Sequence, residues 1–149
     1  MKNKIRLSIL CGLFFLLMSC QAVRKIKCKI HSEDILNVSE SKESLPVLIK
    51  IYQLHDKQAF IKASFNELWK QDKTILGNSL LQSKECIIGP GTHTTVTIPL
   101  EEKANYLGFF AAYRAPQEQK WQAIYRVPKG FFASNTIEVL LTESAIKVK

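Results

Sequence analysis

The chemistry in this 149-residue chain starts with sulfur: its four cysteines are Cys11, Cys20, Cys28 and Cys86. Cys20 closes Leu17-Met18-Ser19-Cys20 at the end of an apolar run from Ile9 to Met18. Lys2, Lys4 and Arg6 precede that run, and no acid occurs before residue 33. Basic residues, a short apolar stretch and a small residue at a cleavage point make a secretory signal, too short to span a bilayer as a helix. A thiol at that point could carry a covalent lipid. An ordinary signal with an incidental cysteine is the alternative.

The other reactive side chains form no catalytic constellation. His31, His55 and His93 are the three histidines. Cys28 and His31 have C-x-x-H spacing, but an offset of three on a strand puts side chains on opposite faces. Glu101-Glu102 is an adjacent acid pair in a turn, whereas glycosidase carboxylates face each other across a substrate. Gly89-Pro90-Gly91 reads as a tight reversal rather than a phosphate cradle. No G-x-S-x-G, H-E-x-x-H, phosphate loop or dinucleotide fingerprint occurs. A binding or structural protein is therefore favoured over an enzyme, with no metal and no cofactor beyond a lipid on Cys20.

Leu17 at −3 and Ser19 at −1 of Cys20 resemble the lipobox of bacterial lipoproteins, with Met18 a slight departure at −2. The resemblance implies that Cys20 is the acylated first residue of the mature protein. One chain binds only marginally, and several make attachment lasting. Gln21, in place of the Asp that usually marks inner-membrane retention in that class, implies the outer membrane and its periplasmic face. The expected organisation is residues 1–19 as signal, 20–25 as acylated N-terminus and spacer, and 26–149 as one domain.

Without residues 1–19, 130 residues remain, enough for one domain with a real core. Losing Lys2, Lys4 and Arg6 leaves 18 basic against 13 acidic side chains, an excess of +5. Arg24, Lys25, Lys27 and Lys29 lie right beside the lipid, where each basic residue near an anionic surface contributes about 1 kcal/mol. Nucleic acid is a poor competitor, because no aromatic residues interleave with these charges. Cys28 and Cys86 would close a 59-residue loop in an oxidising compartment. A bridge of that length is worth about 4 kcal/mol in the chain-entropy picture. Two separate buried thiols are the other reading.

Period-two alternation dominates the mature chain. Ile26, Cys28 and Ile30 share one face of a first strand, with Lys25, Lys27 and Lys29 opposite. Residues 32–45 are polar and serine-rich and read as a long loop. Val47, Ile49 and Ile51 alternate on the next strand. Ile61, Phe65, Leu68 and Trp69 then fit a helical template. Ser64 and Glu67 predict a capping box, a short helix over 65–72 and a looser turn before it. Phe65, Leu68 and Trp69 are expected in the core. Further strands are expected at Glu85 to Ile88, around Thr94 to Leu100, and at Tyr106 to Arg114, the last buried on both faces. Two more carry Trp121 to Val127 and Ile137 to Leu141. Seven short strands and one inserted helical segment predict a mainly β, two-sheet antiparallel sandwich.

Several segments, in order, resemble the outer-membrane lipoprotein of the type VI secretion system, the TssJ (SciN) family. They are SEDILN at 32–37, LPVLIKIYQLHD at 45–56, FIKASFNELWKQDKTILGNSLL at 60–81, the PG at 90–91 and YLGFFAAYRAPQEQKWQAIYRV at 106–127. The resemblance implies a transthyretin-like β-sandwich with helical additions. It also implies a partner, the periplasmic C-terminal region of the inner-membrane protein TssM. In that family the loop between the first two strands is a principal contact. Here this implicates Leu36, Asn37, Val38, Ser39, Glu40 and Ser41, with Asn37 matching the family's Asn. The Pro and Gly that often follow are replaced by Val38-Ser39-Glu40-Ser41. The alternative function is a periplasmic lipoprotein that binds a small molecule or glycan on an aromatic surface of Trp121, Tyr125 or Tyr113.

Overall fold

A computed structural model describes residues 24–130 and 133–149, so Cys20 and the signal lie outside the described residues. The strands are β1 (Lys25–Ser32), β2 (Val47–Leu54), β3 (Leu80–Ile88), β4 (His93–Pro99), β5 (Tyr106–Ala111), β6 (Gln122–Arg126), β7 (Thr136–Leu141) and β8 (Ile146–Val148). Two helices, α1 (Gln58–Lys62) and α2 (Phe65–Leu76), and a 3-10 turn at Gly77–Ser79 stand between β2 and β3. One sheet has the order β4-β1-β7-β8 and the other β3-β2-β5-β6. All ladders are antiparallel except β1 with β7, which is parallel.

The alternation read from the sequence builds the space between the sheets. Ile26, Cys28 and Ile30 of β1 and Ile137, Val139 and Leu141 of β7 meet Val47, Ile49, Ile51, Leu107 and Phe109 of the other sheet in one core. Fully burying one such side chain is worth about 1.5–3 kcal/mol. Lys25, Lys27 and Lys29 point outward, as the period of two requires.

The second sheet carries a further layer. Tyr52, Leu54 and Phe110 face away from the main core and are covered by Phe60 of α1 and by Leu68 and Leu76 of α2. This is why β5 is buried on both faces. It also explains why Lys50 and Tyr52 are buried on a side of β2 that alternation alone assigns to solvent. Gly108 sits under this layer: a Cβ there would lie 3.0–3.1 Å from Phe60 and Leu54.

The capping box is present, with Ser64 Oγ accepting from the Glu67 N–H and Glu67 accepting from the Ser64 N–H. The helix runs past residue 72 to Leu76, with a break at Gln71 (φ −140°, ψ 30°). The looser turn before it is helix α1. Of the expected helical core residues, Leu68 is buried and Phe65 half-buried, while Trp69 is exposed, one ring face stacked toward Phe110. Ile61, first in the helical template, is exposed too, because the interruption at Ala63-Ser64 breaks the phase between the two helices.

Two other expectations change. β3 begins at Leu80, not Glu85: its first half is an edge segment, Leu80-Leu81 followed by exposed Gln82, Ser83 and Lys84, without alternation. An eighth strand, β8, is only three residues long and adds to β7.

Candidate functional site

The loop between β1 and β2 starts at Glu33 and ends at Pro46, and its shape is fixed from within. Asn37 takes φ +46°, a left-handed conformation that a short polar side chain tolerates. It is only 4 % exposed. Its Nδ2 donates to the Pro46 carbonyl at 2.9 Å. Its Oδ1 accepts from the Arg114 N–H at 2.8 Å. One side chain thus ties the loop to its own exit and to the segment after β5. Leu36 is fully buried in the main core, and the Leu45 N–H donates to the Leu36 carbonyl at 3.0 Å. At the tip, Lys42 takes φ +64°, its N–H donates to the Ser39 carbonyl, and the Ser39 N–H donates to the Glu43 carbonyl, both at 2.9 Å.

The six residues expected at the loop therefore divide. Leu36 and Asn37 face inward and shape the loop. Val38 and Ser39 are half-buried, and Glu40 and Ser41 are exposed. Sequence reasoning missed Ile35, which is 58 % exposed beside exposed Glu33 and Asp34. An apolar residue directly before a buried Leu36 was the available cue. Counting Glu33, Asp34, Glu40 and Glu43 against Lys42, the loop is acidic on an otherwise basic chain.

The hairpin between β3 and β4 buttresses the loop's entrance. The Gly91 N–H donates to the Glu33 carbonyl at 3.0 Å, with Gly91 at φ +60°. Ser32 Oγ donates to the Gly89 carbonyl at 2.6 Å and accepts from the Thr92 N–H at 2.8 Å. Gly89-Pro90-Gly91 is thus a structural reversal. Just outside, His31 and His93 face each other across β1 and β4 with Nδ1 atoms 2.6 Å apart. That hydrogen bond requires one ring to present a bare nitrogen.

The remaining candidates are brought elsewhere. Cys28 is buried and His31 points outward, so the C-x-x-H pair diverges. Among the described residues no three His, Cys, Asp or Glu side chains converge to hold a metal ion. Cys28 and Cys86 are both free thiols, one from each sheet, in the same core. Burial pushes the Cys28 thiol up to about 12, helped by Cys86, and burial also raises Cys86. Thiolate, the reactive form, is therefore scarce at both.

The aromatic residues are spent on packing. Tyr113 is 2 % exposed and donates its hydroxyl to the Thr142 carbonyl at 3.0 Å. Trp121 sits edge-on against Phe65 and Phe110, with centroids 5.5 and 5.7 Å away. Tyr125 packs on the main core. Tyr113 and Trp121 reach the wall of a shallow depression of about 560 Å³ beside Arg114, but as edges of packed rings. No exposed aromatic platform is formed by these three.

One buried polar cluster joins the helical layer to the sheet. Lys50, 9 % exposed, lies 3.1 Å from Asp72 and 3.4 Å from Glu85. Tyr52 donates to the same Asp72 oxygen at 2.9 Å. Burial alone would raise the Asp72 carboxyl, but the Lys50 and Tyr52 hydrogen bonds hold it below the usual range. Its place inside the fold makes it a fastening, not a reaction centre.

Comparison with known proteins agrees with this geometry. A family model described as type VI secretion lipoprotein (VasD, EvfM, TssJ) matches residues 24–144. No curated protein sequence is a significant match. Among solved structures, the chain is similar to Serratia marcescens Lip, a membrane-bound component of the type VI secretion system. The TM-score is 0.78 at 21% identity, covering 86% of this chain and 97% of that one. It is also similar to the type VI lipoprotein TssJ1 of Pseudomonas aeruginosa (TM-score 0.74, 25% identity, 86% and 96% covered). A third similar chain is in a structure described as the TssM C-terminal domain from EAEC (TM-score 0.70, 19% identity, 84% and 97% covered). With its two-sheet β-sandwich and a family match over most of its length, this chain belongs to the type VI secretion lipoprotein family.

Proposed function

We propose that this chain is a non-catalytic anchor and docking module. Acylated at Cys20, it is held on the periplasmic face of the outer membrane, and it docks the periplasmic C-terminal region of TssM through the loop from Glu33 to Pro46. The observation that carries this is the fixed loop, which offers exposed Ile35 and a fringe of acids on a rigid sandwich. A surface ordered before binding loses less entropy on docking. Its composition fits a partner surface that is basic around an apolar recess. Family membership and the occurrence of this fold in a structure described as a TssM domain support the choice of partner.

Anchor and docking surface are separate, which makes them separately testable. The Cys20→Ser chain is expected to fold, to leave the outer-membrane fraction and to bind the TssM region unchanged. Membrane fractionation and a pull-down check this. Membrane pelleting that persists without acylation after a high-salt wash would contradict the anchor. Deleting residues 37–43 would remove the Asn37 clamp and disturb the loop's scaffold, so substitutions at Ile35, Glu40 and Glu43 are the cleaner probe of docking.

A further inference from the structure

The two outer faces of the sandwich are built differently. The β3-β2-β5-β6 sheet is roofed by α1 and α2, whose surface mixes Lys62, Lys70 and Lys73 with Glu67 and Asp72. The β4-β1-β7-β8 sheet has no helix packed on it among the described residues. Its exposed side chains are strongly one-signed. Lys25, Lys27 and Lys29 stand in a row on the central strand β1. Lys147 lies on β8, at the same level as His31 through Leu140 of β7. Against these cations the strands offer one acid, Glu138.

Most of this charge is uncompensated: on β7, Thr136 stands beside Lys27, and only Lys29 has an acid in register, Glu138, with which it forms no ion pair. The residues opposite Lys25, Lys27 and Lys29 on β4 are Pro99, Thr97 and Thr95. Cross-strand positions are where an acid would stabilise a lysine. Both ion pairs among the described residues use Lys50 instead. Alternate residues on a strand are only about 7 Å apart, within the screening length at physiological salt. With Glu138 at the Lys29 end alone, the row keeps a net positive charge that an external anion would relieve.

The chain's entry says which anion. Arg24 is fixed by hydrogen bonds from Nε to Asn135 at 3.0 Å and from its guanidinium to the Pro128 carbonyl at 2.8 Å. Only three residues separate it from Cys20, a reach of at most about 14 Å. A lipid on Cys20 would hold the Lys25 end of β1 against the bilayer.

We infer that the bare outer face of the β4-β1-β7-β8 sheet is a lipid-contact surface, lying flat on anionic phospholipid headgroups through Lys25, Lys27, Lys29 and Lys147. The domain then presents its helical roof to the periplasm. The docking loop lies about 25 Å along β1 from the anchor, sideways along the membrane rather than straight down from it. The orientation rests on the anchor reading above; the charged face itself does not.

The test uses the full acylated chain, reconstituted into vesicles of phosphatidylcholine alone or containing phosphatidylglycerol, with lysine acetylation read by mass spectrometry. Labelling of Lys25, Lys27, Lys29 and Lys147 is expected to fall about fivefold or more on the anionic vesicles and to recover in high salt. Lys62 and Lys70, on the helical roof, are expected to label equally on both. Equal labelling of all six on both lipids, with the chain floating on the vesicles, overturns the inference. Protection of Lys25 alone means an upright domain and also overturns it, as does protection that appears only when the TssM region is added. A chain that fails to float on phosphatidylcholine refutes the anchor instead. The face then still predicts flotation on phosphatidylglycerol, weakened about fivefold for each of Lys25→Gln, Lys27→Gln and Lys29→Gln. Flotation unaffected by those three changes would refute the face.

Discussion

Asn37 shows how much of the docking loop rests on one side chain. Its backbone sits in a left-handed conformation, and its amide joins Pro46 and Arg114, which are 9 and 77 residues away. Asn37→Ala would strand the Arg114 N–H and the Pro46 carbonyl, a loss of about 1–3 kcal/mol. Chemical denaturation is expected to show that loss, with faster amide exchange through residues 38–45. At Asp72 the relevant variable is pH. Its folded carboxyl titrates below the unfolded value, held there by Lys50 and Tyr52 against the effect of burial. The stability it contributes is therefore fully present above about pH 4 and is lost as pH falls through its folded value. Asp72→Asn is expected to cost about 1–3 kcal/mol at neutral pH and to flatten the acid limb of the stability profile. An unchanged acid limb, measured by urea midpoints across pH, would remove Asp72 from that role.

At the scale of elements, legibility followed burial geometry. Strands inside a sheet announced themselves: β1 and β7 by strict alternation, and β5 by an apolar run covered on both faces. The capping box marked the start of α2 to the residue, because both its hydrogen bonds are local. What stayed hidden lies at edges and across distance. The first half of β3 starts on the half-buried pair Leu80-Leu81 and runs on through exposed Gln82, Ser83 and Lys84 without alternation, and β8 is too short to show a period. Lys50 on β2 read as an outward residue because the helical roof that buries it comes later in the chain. The loop's division into inward Leu36 and Asn37 and outward Ile35 depends on partners far along the sequence, so no local pattern reveals it. The roof itself depends on Gly108. Gly108→Val is expected to push Phe60 off β5, cost about 1–3 kcal/mol and make residues 58–76 the first segment to open, as hydrogen exchange would report.

At the scale of the whole molecule, the proposed reading divides the work among three surfaces: an anchor on the N-terminal segment, a bare basic face toward lipid and an acidic loop toward a partner. The sandwich holds them in fixed relation, since the loop is clamped to the same core that orients β1. Buried Cys28, whose thiol burial pushes up to about 12, and the Lys50–Asp72 fastening belong to the scaffold that holds these surfaces. The central claim is that the exposed rim of the Glu33 to Pro46 loop reads TssM, and Ile35 is the residue on which it turns. The most direct measurement is the affinity of the TssM periplasmic C-terminal region for the Ile35→Asp chain, by calorimetry, beside a melting curve showing the fold intact. Loss of an apolar anchor at an interface centre predicts about 30-fold weaker binding or more. Affinity equal to that of the unaltered chain would contradict it.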